Sequence, residues 1–392
     1  MNKFFLDLGK QPLANDYLSK YKKKQMKYNL RLYFNSKTKL VSISKRIPSQ
    51  IMFNSKYPYR SSLSTTMKKS FKKLSAEISK KFNPKLILEI GSNDGALITN
   101  FKKNQAIGVE PCKNLANITK KKGYITYDEY WDYNLAEKIN KRFKSVDLVY
   151  SANTLTHISD LKKVFKSISS VLSESGILII EDPSLLECLK KNTYDQFYNE
   201  HIYLFSTISV QNVLKNFDFE IFDLKNLNTH GGSIRYYIKR MSNHKIKINK
   251  NVITQINKER KFGLGKISTY KKFSIRVDKS KKKLIKILNN LKDKGNKIAG
   301  YGATAKSVTI MNYCNISSNL IDTFFDTTPE KINKFLPGKE IKILKYNKDK
   351  LAKFNYAFLG AWNFKEEIFN KEKSNIKKGL KFITHVPYPR II

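Results

Sequence analysis

Tyr198-Asn-Glu-His201 gathers three side chains capable of acid–base chemistry within four residues. Histidine is the side chain whose ordinary pKa suits a general base near neutral pH. A neighbouring tyrosine can donate a hydrogen bond to a developing oxyanion, and Glu200 can orient or polarise either one. An isolated histidine is more often structural than catalytic. This cluster follows closely on an apolar, strand-like run over 176–182, and that placement points to a site. A second histidine stands in Thr229-His-Gly-Gly-Ser233. Glycines beside His230 and Ser233 suit close approach of backbone to a ligand, or equally a tight turn that needs positive φ.

A ligand for such groups is suggested by residues 86–95, Leu-Ile-Leu-Glu-Ile-Gly-Ser-Asn-Asp-Gly. The apolar run reads as a buried parallel strand. It ends in Glu89 and a loop holding Gly91 and Gly95, where backbone can approach a ligand that a Cβ would exclude. The next apolar run, Ala106-Ile-Gly-Val, ends in Glu110 and Pro111, where a carboxylate can accept both hydroxyls of a ribose. The Gly-x-x-x-Gly spacing differs from the dinucleotide fingerprint, and Asn93-Asp94 puts a carboxylate where a diphosphate would need a free helix N-terminus. The expected ligand is therefore cationic or neutral, as in S-adenosylmethionine. Asn153 and His157, in Ser151-Ala-Asn-Thr-Leu-Thr-His157, close the strand at 146–151 on the same side of the sheet. A further strand–glycine loop–helix start, Gly300-Tyr-Gly-Ala-Thr-Ala-Lys306, places Tyr301 and Lys306 where a phosphate could be held. Ordinary strand-to-helix punctuation explains the same spacing.

The elements that must position these residues form an alternating pattern. Strands are read at 85–90, 105–110, 146–151 and 176–182, with the clearest helix over 158–173. A helix near 206–217 follows, then strands 219–225 and 233–239 joined by a short loop. The expected ending is an antiparallel hairpin, which is typical of class I methyltransferases and not of dehydrogenases. The division is a small N-terminal module over 1–75, with short strands at Leu30–Phe34 and Leu40–Ile43 and a turn at Gln11–Asn15. An S-adenosylmethionine-binding domain over 76–240, a helical connection over 241–290 and a second Rossmann-like α/β domain over 291–392 complete it. The fold class is α/β.

The 392 residues carry a formal charge of +43, with 41% hydrophobic and 12% aromatic residues. That composition fits a globular chain of two or three domains. The charge raises nucleic-acid binding as a possibility. The excess is nearly all lysine, spread over helix faces and loops such as Lys120–Lys122 and Lys281–Lys283, with no Arg-rich arm. We read it as a solvated surface, since a charge total speaks to solubility and non-specific association. No signal peptide and no membrane span are expected. Three distant cysteines, Cys112, Cys188 and Cys314, suggest free thiols and a cytoplasmic location.

Taken in order, these segments resemble the sugar-nucleotide C-methyltransferases, in particular those acting on C3 of nucleotide-linked 4-keto-6-deoxyhexoses. The resemblance rests on Leu8-Gly-Lys-Gln-Pro-Leu-Ala-Asn15, Tyr57-Pro-Tyr-Arg-Ser-Ser-Leu-Ser64, Glu89–Gly95, Gly108-Val-Glu-Pro111, Tyr198–His201, His230-Gly-Gly-Ser-Ile-Arg235, Gly300–Lys306 and Asn312-Tyr-Cys314. It implies S-adenosylmethionine as cofactor, held by Glu89, Gly91, Asn93, Asp94, Gly95, Glu110, Pro111, Asn153 and His157. It implies His201 as the base that deprotonates the carbon beside the ketone, and Tyr198, with Tyr59 or Tyr57, as donors to the enolate. Glu200 is left either to fix the His201 tautomer or to bind a sugar hydroxyl. Tyr57, His230, Gly231, Ser233, Arg235, Tyr301 and Lys306 are implied as substrate contacts, with Lys306 at the diphosphate. The family's N-terminal module usually binds zinc through two cysteine pairs. The chain starts beyond the place of the first pair, and the second falls on Asn35 and Thr38, so no structural zinc is predicted. The expected partner is a small sugar nucleotide, not a nucleic acid or a membrane, for a monomer or weak homo-oligomer. A methyltransferase with another acceptor and an inactive scaffold of the same fold remain as alternatives.

Overall fold

The computed structural model describes residues 1–22, 24–44 and 47–392. Its central sheet has seven strands in the spatial order Phe219–Leu227, Ser233–Arg240, Leu172–Pro183, Val146–Ala152, Ile87–Ile90, Ala106–Val109, Ile125–Tyr127. The five that come first in sequence run parallel. Ser233–Arg240 inserts antiparallel between Leu172–Pro183 and Phe219–Leu227. That is the class I methyltransferase arrangement. All four residues of Ile87–Ile90 and of Ala106–Val109 are buried, as expected of parallel strands covered on both faces. The covering helices are amphipathic. Leu161–Val171 turns Leu161, Val164, Phe165, Ile168 and Val171 inward at three- and four-residue spacing, and the Asp160 carboxylate caps it by accepting from Lys163 N at 3.1 Å. Strand order reverses between Ile87–Ile90 and Val146–Ala152, and the crevice at such a point is where ligands sit.

The C-terminal sheet repeats the logic. Ile298–Tyr301 lies between Thr323–Asp326 and Tyr356–Leu359, with Ile343–Lys345 and Lys381–Thr384 outside them, all parallel, and Arg390–Ile391 closes one edge antiparallel. The helices Lys250–Phe262 and Ile267–Asp293 precede it. No helix among the described residues is long and apolar enough to cross a membrane.

The N-terminal sheet departs most from expectation. It opens with a ten-residue strand, Asn2–Gln11, that sequence reading leaves out. Register shifts between Phe4 and Leu6 and between Asp7 and Lys10 break its alternation, so the period-2 signal is lost. Tyr28–Asn35 and Val41–Ile43 follow. The fourth strand, Tyr203–Leu204, comes from the segment just after His201 and pairs with Val41 and Ser42. Asn35 closes the turn between the second and third strands, its Oδ1 accepting from Lys37 N and Thr38 N at 3.0 and 2.9 Å. The N-terminal strands are therefore stitched by backbone bonds to the chain that carries the His201 cluster.

Candidate functional site

One cavity of about 710 Å³ runs from the loops beyond Ile87–Ile90 to those beyond Ile298–Tyr301. At its first end Gly91 has φ +77°, and a Cβ built there would lie 2.1 Å from Thr154 Oγ1. No other residue fits this turn without strain. The Glu110 carboxylate organises the loop, accepting from Asn93 N and Cys112 N at 2.9 Å each. Glu89 is 3% exposed, and its Oε2 has no hydrogen-bond partner among the described residues. Burial pushes its pKa well up, and the neighbouring Glu110 and Asp94 carboxylates add to this. A buried, unpartnered carboxylate oxygen at the cavity wall is a fitting acceptor for a cationic amino group. Pro111, Asn153 and His157 line the same end.

Two expected members of this set lie elsewhere. Asp94 does not border the cavity: its carboxylate accepts from the backbone N and the hydroxyl of Ser62. The preference for a cationic ligand therefore rests on Glu89 and Glu110 and not on Asp94. Gly95 is packed against Thr119, with φ +80°.

Gly91→Ala is expected to destabilise the chain by about 2 kcal/mol, from the left-handed backbone and the Thr154 clash. It is also expected to weaken S-adenosylmethionine at least tenfold. Thermal unfolding and calorimetric titration measure both, and an unchanged affinity would remove this loop from the cofactor site.

A segment over 53–64 crosses the cavity mouth. Phe53 O accepts from Tyr130 Oη at 2.6 Å, Tyr57 O from Asn114 Nδ2 at 2.9 Å, and Asn93 Oδ1 from Ser61 N at 2.9 Å. Arg60 is paired with Glu330 of the C-terminal domain. Tyr57 donates to Glu200 Oε2 at 2.9 Å, while Asn15 Nδ2 donates to Oε1 at 2.8 Å. Glu200 is thus a buried bracket for Tyr57 and does not line the cavity. Burial pushes its carboxyl up to about 7, against the opposing pull of the Asn15 and Tyr57 donors. Tyr59 lines the cavity and is 41% exposed.

Behind this segment His201 is 7% exposed. Its Nδ1 lies 2.7 Å from the Gln196 carbonyl oxygen and its Nε2 2.6 Å from Tyr198 Oη. A carbonyl only accepts, so the ring proton is assigned to Nδ1, and Nε2 keeps its lone pair and accepts from Tyr198. The tautomer is set by Gln196 and not by Glu200. Burial, with His157, Lys306 and His230 nearby, holds the His201 pKa well below its usual value, so the ring is neutral. His157 is sandwiched between Phe53 and His201, ring centroids 5.3 and 5.0 Å away.

The far end collects His230, Tyr301 and Lys306. The Tyr301 hydroxyl donates to Glu372 Oε1 at 3.0 Å. Lys306 faces His201 and His230 as well as the C-terminal crevice. Three expected substrate contacts are not at the cavity. Arg235 is 3% exposed and paired with Glu181 at 2.8 Å across neighbouring strands. The Ser233 hydroxyl donates to Thr229 O at 3.0 Å. Gly231 packs under Trp362, whose ring stands 2.4 Å from where a Cβ would lie.

Sequence reading passes over Asp326, which ends the second strand of the C-terminal sheet and lines the cavity. It accepts from Ala303 N and Thr328 N at 2.8 Å each. Its position mirrors that of Glu110 after a strand–glycine loop, and that was the available signal. Arg60, Lys331 and Lys371 also line the cavity and were not singled out.

Comparison with known proteins agrees with this construction. Residues 59–224 match the family described as methyltransferase domain, and residues 228–387 match the C-methyltransferase C-terminal domain. The chain is 30% identical over 310 residues to C-methyltransferase NovU of Streptomyces niveus, across 78% of this chain and 73% of that protein. Among solved structures, an S-adenosylmethionine-dependent methyltransferase from Clostridium acetobutylicum is 17% identical with a TM-score of 0.34, over 44% of this chain and 91% of that one. Magnesium protoporphyrin IX methyltransferase from Synechocystis, with bound SAH, is 16% identical with a TM-score of 0.35, over 44% and 83%. The chain belongs to the C-methyltransferase family and is an S-adenosylmethionine-dependent methyltransferase.

Proposed function

We propose that this enzyme methylates the carbon beside the ketone of a nucleotide-linked keto-deoxysugar, with His201 as the base. The observation that carries the reading is the neutral, Nδ1-protonated His201, whose unprotonated Nε2 accepts from Tyr198, both residues lining the cavity that also holds the cofactor loop. A carbon nucleophile requires a base and a stabilised enolate, and a ketone supplies the acidic C–H. The Tyr198 hydroxyl hydrogen turns from Nε2 to the ketone oxygen, and the freed Nε2 takes the carbon's proton as the enolate forms, with its negative oxygen accepting from Tyr198. Tyr57, braced by Glu200, and Tyr59 line the same wall. S-adenosylmethionine supplies an electrophilic methyl group, and the residues at Glu89–Asn93 and Glu110 would hold it. The chain's remaining task is to align the two reactants.

The second crevice supports a nucleotide-linked acceptor. Asp326 stands where an acidic residue takes ribose hydroxyls, and Lys306, Lys331 and Lys371 supply positive charge around it. We assign 1–75, 76–240 and 291–392 to acceptor positioning, cofactor binding and nucleotide binding, with 241–290 as the connection. A soluble sugar nucleotide fits a cytoplasmic enzyme that needs no zinc and acts as a monomer or weak homo-oligomer.

The test incubates the enzyme with S-adenosylmethionine and a panel of nucleotide 4-keto-6-deoxysugars, with RNA and DNA as further arms. A new C–CH3 signal on a sugar nucleotide, by mass spectrometry and NMR, is expected. Methylation of nucleic acid alone, or of no sugar while S-adenosylmethionine binds, would overturn the acceptor assignment.

A further inference from the structure

We infer that Asp195 is a positioning residue through which the C-terminal domain sets the orientation and tautomer of His201. Asp195 lies in the short turn Tyr194–Gln196 and is wholly buried. Its partners come from the C-terminal domain. Trp362 Nε1 donates to Asp195 Oδ2 at 2.6 Å, and His385 Nε2 lies 3.2 Å from the same oxygen. Lys306 stands over the Trp362 ring, its Nζ 5.8 Å from the centroid, and bears on the same carboxylate. These three residues follow three different parallel strands, Ile298–Tyr301, Tyr356–Leu359 and Lys381–Thr384, at their carboxyl ends. The crevice of one α/β unit thus closes on a single carboxylate of the other. Burial pushes the Asp195 carboxyl up, and His385, Lys306 and the Trp362 donor outweigh it, so the group is held below the usual carboxylate range.

The next residue carries the consequence. Gln196 O is the acceptor that takes the Nδ1 proton of His201, and Gln196 Nε2 donates to His230 O at 2.9 Å. Trp362 occupies the space above Gly231, so it is fixed between the two loops that Gln196 ties together. Releasing Asp195 frees the 194–196 turn to rotate and the Gln196 carbonyl to leave Nδ1. The other tautomer then becomes available, with a proton on Nε2. That nitrogen can no longer accept from Tyr198 or from carbon. Imidazole orientation through a hydrogen bond on the far nitrogen is a general device; here the orienting bond is held from another domain.

The inference rests on His201 being the base, and the experiment separates the two. Full-length wild type, Asp195→Asn, Trp362→Phe and His201→Ala are compared by imidazole 15N NMR and by steady-state kinetics with the best sugar-nucleotide acceptor. Wild-type His201 is expected to show a protonated Nδ1 and a bare Nε2. In Asp195→Asn and Trp362→Phe the pattern shifts toward the other tautomer, and kcat falls about tenfold or more while KM for S-adenosylmethionine moves less than about twofold. Unchanged His201 shifts in a folded variant, or kcat within about twofold of wild type, would overturn the inference. Should Asp195→Asn fail to fold, Trp362→Phe still decides, since it removes the N–H donor and keeps an aromatic ring. Methyl transfer surviving in His201→Ala would instead remove the base assignment, and the 15N pattern would still report whether Asp195 sets the tautomer.

Discussion

His201→Ala is expected to slow methyl transfer by about 10³-fold, equivalent to about 4 kcal/mol of transition-state stabilisation, with S-adenosylmethionine affinity within about twofold of wild type. The size follows from where the ring sits. Nε2 is an unprotonated nitrogen in a buried, neutral imidazole, hydrogen-bonded to the Tyr198 hydroxyl. Removing the ring takes away the base and leaves Tyr198 without the acceptor that aims it. The cofactor loop is built on Gly91, Asn93 and Glu110, whose hydrogen bonds do not pass through His201, so binding should survive. Deuterium uptake from D2O at the carbon beside the ketone, with no methyl donor present, isolates the deprotonation step. Wild type should exchange and His201→Ala should not. Exchange that persists in the variant would place the base elsewhere on the cavity wall.

The parts legible in the sequence are those where one local rule acts alone. The buried strand ending in Glu89, the Gly91 turn and the acid closing the next strand are all local. So is the antiparallel hairpin at 219–240. Where two rules compete, reading fails. Asn2–Gln11 is bulged and loses its alternation, and Ile125–Tyr127 is a three-residue edge strand too short to show any. Residues near a motif were credited with its chemistry when a neighbour had already claimed them: Arg235 is held by Glu181, Asp94 by Ser62 and Glu200 by Asn15 and Tyr57. The Asp195–Trp362–His385 contact has no local signature at all. Its members are separated by most of the C-terminal half of the chain, and only the docking of two α/β units brings them together.

Replacing His157 by Phe is expected to reduce the rise of stability with pH between 4.5 and 6.5, by up to about 1 kcal/mol per pH unit. The neutral histidines of the cavity contribute to that rise. Burial lowers the His157 pKa to about 4 and, with Lys306 adding to it, that of His230 to about 3, while His201 also sits well below 6.5. The Nε2 atoms of His157 and His230 have no hydrogen-bond partner among the described residues to offset a charge there. The unfolded chain takes up these protons near pH 6.5 and the folded chain does not. Stability from these groups is therefore fully present above 6.5 and is lost as the pH falls toward the folded values, each group contributing a slope of at most about 1.4 kcal/mol per pH unit. Glu200 acts the other way. Its folded pKa is raised to about 7, so its contribution is complete below 4.5 and disappears as the pH rises through 7. Glu89, Asp182, Glu110 and Glu259, whose carboxyls burial also pushes up, act in the same sense as Glu200, so the histidine contribution is read from the difference between a histidine variant and wild type. Urea unfolding at pH 7, 6 and 5 measures the slope. His157→Phe, which keeps the stack between Phe53 and His201, should flatten it by up to about 1 kcal/mol per unit. An unchanged slope in His157→Phe would mean that this histidine charges freely in the folded state. The rate reports His201 separately: an acid limb close to 6.5 would mean that the proposed base is half-protonated there, which the buried ring described above does not produce.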